Sequence, residues 1–156
     1  MRPVVWFRVA ALLMLLFAAG HTYGFLAFRP ATAEGQAVWR AMNEVRAPAG
    51  RATFSYGDFY RGFGLSITVS QLFSAWLAWW LSHMAARAGQ PGYEGAAADA
   101  GAIAWALFAV QCAGIVLAWR YFSAGPAVLS ALAAVCFALG AISLRGAGVR
   151  RPARAA

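Results

Sequence analysis

Lysine is absent from this 156-residue chain, acidic residues number five and histidines two, and only 12% of the residues carry charge. A water-solvated domain sits nearer ~25% charged, with its apolar residues broken up periodically, so this composition excludes an ordinary soluble globule. Cysteine is sparse too: Cys112 and Cys136 stand alone with no CxxC, which removes a thioredoxin-type redox site and leaves both as small, soft packing residues. There is no HExxH, no nucleophile elbow and no cluster of acidic residues at metal-ligand spacing. The sequence therefore assigns no catalytic residue, no metal and no cofactor, and activity as an enzyme is the less favoured reading. No internal repeat and no span broken at its midpoint supports a transporter acting alone. The missing lysine, beside abundant Ala, Gly and Arg, matches the coding bias of a GC-rich bacterium.

What the chain has instead is apolar length. Hydrophobic residues make up 62%, gathered in four blocks. Each is near the ~20 residues a helix needs to cross ~30 Å of hydrocarbon. The expected fold is all-α, a four-transmembrane-helix bundle forming one membrane domain over residues 1–156, with spans at about 4–28, 63–84, 102–122 and 126–144. Arg2 and Arg8 ahead of ALLMLLFAAG raise a cleavable signal peptide as an alternative for span 1. The apolar run continues through Tyr23, Phe25, Leu26 and Phe28 to Arg29-Pro30, which favours a retained span.

Residues 29–61 are the one long connection, on the outer side. Thr32 is placed to cap a short amphipathic helix with Val38, Ala41, Met42 and Val45 on its apolar face, ended by Pro48-Ala49-Gly50. Ser55 with Asp58 three residues on forms a variant capping box and marks a new helix start. Residues 85–100 read as a loop in which Asp99 caps span 3, and Ser123-Ala124-Gly125-Pro126 forms a tight turn making spans 3 and 4 an antiparallel hairpin. The tail over 145–156 is basic and reads as disordered.

Between helices in lipid the hydrophobic effect gives no drive, and small residues let backbones approach. Gly20 and Gly24 form a GxxxG pair in span 1, and Gly62, Ser66, Ser70 and Ser74 recur every four residues in span 2 as a packing stripe. The net charge of +8 lies mostly at the ends of the apolar blocks. That distribution favours lipid headgroups over nucleic acid, which is excluded as a partner. With both termini cytoplasmic, seven arginines lie inside against six outside, and four of the seven crowd into residues 145–154. The expected location is a bacterial cytoplasmic (inner) membrane, with lipids as neighbours and a second copy or another membrane protein as the remaining partner class.

His21 is the sharpest polar residue, about 10 Å below the outer surface at ~1.5 Å per residue. Ionisable groups at such depth face a bundle interior or a wet cavity. His83 lies at the opposite leaflet, which excludes a bis-histidine haem, and a zinc site has no ligands. A polar funnel is expected instead, with Tyr56, Asp58, Tyr60 and Arg61 at its mouth and His21, Ser66, Gln71 and Gln111 deeper. The competing structural reading is a His21 hydrogen-bonded to a neighbouring helix and an Asp58–Arg61 pair closed on itself at i, i+3.

HTYG late in span 1, DFYRGFGL opening span 2 and YFSAGP before span 4 together resemble small four-helix bacterial integral membrane proteins of an uncharacterised family. That resemblance covers most of the chain and implies the four-span architecture without an activity. Two functions are carried forward: an outward-facing pocket for a lipid, isoprenoid or quinone, or a structural or assembly subunit with no ligand site.

Overall fold

The computed structural model describes residues 2–50, 52–88, 90–93 and 95–149. Along the chain run α1 (Pro3–Ala27), α2 (Ala33–Glu44), β1 (Arg46–Ala49), β2 (Ala52–Ser55), α3 (Tyr56–Arg87), α4 (Ala96–Tyr121) and α5 (Ala124–Val149). Among the described residues, three helices are long and apolar enough to cross a membrane: Pro3–Ala27, Ala96–Tyr121 and the Ala124–Arg145 stretch of α5. By packing, the chain divides into two compact units. One comprises residues up to Phe17 with those from Gln71 onward, and the other is Ala18–Ser70.

Helix ends follow local chemistry. Pro3 opens α1 at a position where a missing N–H costs nothing. The helix stops before Arg29-Pro30, because the residue ahead of a proline is pushed out of the helical region. Arg29 Nη1 then donates to the carbonyls of Leu26 (3.1 Å) and Phe28 (2.7 Å), covering acceptors the helix end leaves open. Thr32 caps α2 in extended backbone, its hydroxyl accepting from Gly35 N at 3.1 Å, as expected.

Several boundaries differ from the sequence expectation. After Glu44 the chain forms an antiparallel hairpin, Arg46 opposite Ser55 and Ala49 opposite Ala52, with Gly50 at φ +61° in the turn. The strands RAPA and ATFS are too short to show alternation, and Pro48 is tolerated because each strand of a two-stranded sheet has a free edge. On α2 the half-buried residues are Gly35, Trp39, Met42 and Asn43; of the expected stripe only Met42 is among them, and Val38 is 61% exposed. Helix α4 starts at Ala96, so Asp99 sits in its first turn, favourable to the helix dipole, and is not the cap. Helix α5 begins two residues before Pro126 and continues to Val149, so the tail is helical at its start. A proline that early meets N–H groups with no intrahelical acceptor anyway. Residues 150–156 lie outside those described.

In the larger unit the core is made mostly of alanine. Ala10, Ala78, Ala100, Ala104, Ala133 and Ala141 are buried, with Phe7, Met14, Leu81 and Phe137 filling between them. Phe7 lies so tightly over Gly140 that a Cβ there would touch its ring at 2.5 Å. The two-residue link of Phe122 and Ser123 folds α5 back along α4. The Arg145 guanidinium then lies over the Trp105 ring at 6.0 Å, as Arg8 lies over Trp79 at 5.5 Å.

Candidate functional site

The polar and aromatic residues of interest meet in the Ala18–Ser70 unit. Here α1 and α3 run side by side: His21 Nε2 is 3.0 Å from the Gly64 carbonyl, and the Thr22 and Thr68 hydroxyls are 2.8 Å apart. Gly64 is buried beneath the Phe25 ring, where any Cβ would overlap its atoms. Phe25 stacks on His21, one turn earlier, with 5.8 Å between centroids, and leans on Tyr60 at 5.1 Å. Tyr60 meets Trp39 edge-on at 5.9 Å, and Trp39 meets Phe28 at 6.1 Å. An aromatic chain thus ties α1, α2 and α3 together.

Beside it, the expected capping box is formed. Asp58 Oδ2 accepts from Ser55 N (3.1 Å) and Ser55 Oγ (2.8 Å), while Asp58 N donates to Ser55 Oγ at 3.0 Å. Arg61 Nη1 reaches Asp58 Oδ1 at 3.3 Å and Nη2 reaches Asn43 Oδ1 at 2.8 Å, so the guanidinium joins the start of α3 to α2. The ion pair is about half exposed, 47% and 49% for its two side chains, so its own contribution is small. The hydrogen bond from the Ser55 backbone N–H is the main influence holding the Asp58 carboxyl below its ordinary pKa, helped by the Ser55 hydroxyl and by Arg61 and Arg46.

A pH dependence follows. Asp58 binds its proton more weakly when folded. Its contribution is therefore full above the ordinary carboxylate pKa of about 4 and fades as pH falls through the lowered folded value. Thermal melts should show Asp58→Asn less stable than wild type at about pH 7, with the gap narrower at about pH 3. A gap of equal size at both would mean that the carboxylate charge is not what matters.

A cavity of about 220 Å³ opens in this unit, lined by Phe25, Leu26, Arg29, Trp39 and Arg61. Of the eight residues expected in a polar funnel, only Arg61 lines this cavity. His21 and Tyr60 stand behind its Phe25 wall, and Asp58 holds Arg61. Ser66 is exposed and turns its hydroxyl onto the Phe63 carbonyl at 2.7 Å. Gln71, whose Oε1 is buried without a hydrogen bond among the described residues, and Gln111, 2% exposed, belong to the other unit. The cavity and the expected funnel of eight residues thus share Arg61 alone.

The packing seam also shifts. A Cβ at Gly20, Gly24 or Gly62 would meet open space, and Ser70 is exposed, its hydroxyl on the Ser66 carbonyl at 2.9 Å. Ser74 alone of that stripe is buried. Close approaches fall instead at Gly57 against Asn43, Gly64 against Phe25 and Gly140 against Phe7, with Gly35 close to Pro30. Sequence reading also passed over Phe25, Leu26, Arg29, Trp39 and Asn43. The available signal was Arg29-Pro30, which had to end α1 and leave a cation at its mouth.

Compared with known proteins, the chain matches no family model, no curated protein and no solved structure.

Proposed function

We propose that this chain is a four-span integral protein of a bacterial cytoplasmic membrane, and that its Ala18–Ser70 unit binds a lipophilic molecule through a polar head. The observation that carries the binding is the cavity, with aromatic and aliphatic walls from Phe25, Leu26 and Trp39 and two guanidiniums at its edge. Apolar walls with a few placed polar groups are the usual makeup of small-molecule sites. A lipid, an isoprenoid or a quinone would each use the walls.

Helix α3 serves as the fourth span. Its serines lower its overall apolar character, yet Ser66, Ser70 and Ser82 all donate to carbonyls of their own helix, which lessens their cost in hydrocarbon. Val69, Phe73 and Trp76 are more than half exposed, a face that suits lipid and not water. The guanidinium–indole contacts of Arg8 and Arg145 are of the kind found at a membrane interface, and the arginine count favours both termini on the cytoplasmic side.

A second reading, a structural or assembly subunit, draws on Gly20, Gly24 and Gly62, which leave room for a second copy or another membrane protein. Mass spectrometry of the chain purified in mild detergent separates the two. A lipophile should accompany wild type and be lost in Trp39→Ala. With none found, and Trp39→Ala changing only the melting temperature, ligand binding is wrong and the subunit reading stands.

A further inference from the structure

Resting on the ligand-binding reading above, we infer that the cavity of the Ala18–Ser70 unit takes the phosphate monoester head of an amphiphile, held by Arg29 and Arg61. Both guanidiniums line the one cavity. Negative charge is short there. Among the described residues the only ion pair is Arg61–Asp58, and that carboxylate is already shared with the Ser55 N–H and hydroxyl. Among the described residues no carboxylate pairs with Arg29, so the two guanidiniums at the cavity outnumber the one carboxylate bonded to them.

Both cations are also held in place. Arg29 spends Nη1 on the Leu26 and Phe28 carbonyls, which leaves its Nη2 and Nε edge for a ligand. Arg61 is braced from two sides, by Asp58 and by Asn43. Guanidiniums anchored in this way lose little freedom on binding, and their planar forks match phosphate oxygens. A neutral head would gain only the Phe25 and Trp39 walls.

Size points to an amphiphile. At about 220 Å³ the cavity is below the ~300–1,000 Å³ typical of sites that enclose a whole ligand. It accommodates a head and leaves acyl or prenyl chains outside, where Leu26 (53% exposed) and Phe28 (50% exposed) offer apolar surface.

The test uses the full chain in detergent, with its melting temperature followed against dioleoyl phosphatidic acid, dioleoylglycerol and inorganic phosphate. Phosphatidic acid should stabilise wild type saturably. Arg29→Gln and Arg61→Gln should each weaken that binding roughly tenfold, the scale of one charge-assisted contact. Arg120→Gln, an exposed arginine at the end of α4, should leave it unchanged. Should Arg61→Gln fold poorly without its Asn43 bond, the exposed Arg29 decides the matter. Inorganic phosphate acting alone with the same arginine dependence keeps the phosphate site and makes a free phosphate the source. Equal stabilisation by dioleoylglycerol, indifferent to Arg29→Gln, overturns the phosphate inference and leaves the ligand-binding reading standing. If Arg120→Gln weakens binding as much as Arg29→Gln, generic headgroup attraction explains the effect and the site is wrong. If neither amphiphile stabilises the chain and no lipophile accompanies it, both readings fall.

Discussion

Gly140→Val is expected to lower the stability of this chain by about 3 kcal/mol, the upper end for overpacking a closed core. The reason is the neighbour it meets. Phe7 is fully buried, its ring edge lies where the new Cβ would stand, and Ala10, Ala11 and Met14 on its own helix are buried with it. The ring can move only by leaving its rotamer or by pushing α1 away from α5, and each costs free energy. Gly140→Ala should fall between wild type and Val. Combining Gly140→Ala with Phe7→Leu should recover part of the loss, since the coupling of two touching residues is what a double-mutant cycle isolates. Thermal unfolding in detergent reads Gly140→Val and the cycle of wild type, Gly140→Ala, Phe7→Leu and the double variant. A Gly140→Ala protein as stable as wild type would show that the Phe7 contact is not tight.

That contact was not legible in the sequence, and the reason is general to helices in lipid. Apolar length is local and adds up along the chain, so the apolar blocks and their helices could be read from composition alone. The Ser55–Asp58 box and the Thr32 cap were legible for the same reason, each being closed within four residues. Which small residue receives a large one depends on helix rotation, and a chain full of Gly, Ala and Ser offers many equivalent stripes. The regular four-residue spacing of Gly62, Ser66 and Ser70 suggested a seam, yet the approach falls at Gly64, inside the same motif. Gly64 follows Arg61 by one turn, so the DFYRGFG stretch turns its cation toward α2 and its bare backbone toward α1.

The cavity failed to show for a related reason. Its walls come from residues 25, 26, 29, 39 and 61, the last two separated by a hairpin whose strands carry no pattern. Phe25 and Leu26 had a sufficient explanation as the continuation of an apolar span, and Trp39 fell outside the stripe assigned to α2. The polar residues that did stand out, His21 and Asp58, act behind the walls. His21 holds the Gly64 carbonyl and stacks on Phe25, while Asp58 fixes the start of α3 and steadies Arg61. Their prominence in the sequence was real, but it reflects positioning of the residues that face the cavity.

Gly64→Val tests that arrangement, and its outcome should differ in kind from Gly140→Val. Here the overlapping ring is Phe25, which is half-buried and borders open volume, so it can swing aside where Phe7 cannot. The stability loss should accordingly be smaller, about 1–2 kcal/mol, with the helices still formed by circular dichroism. The displaced ring can enter the cavity it lines, so binding should suffer more than folding does. Any lipophile that accompanies wild type should be absent from Gly64→Val. Phe25→Leu placed on top of it, removing the displaced ring, should restore part of the volume and part of the binding. Stability reduced with ligand retained would place the binding surface away from the Phe25 wall, because a cavity walled by that ring cannot stay open once a side chain occupies the Gly64 position.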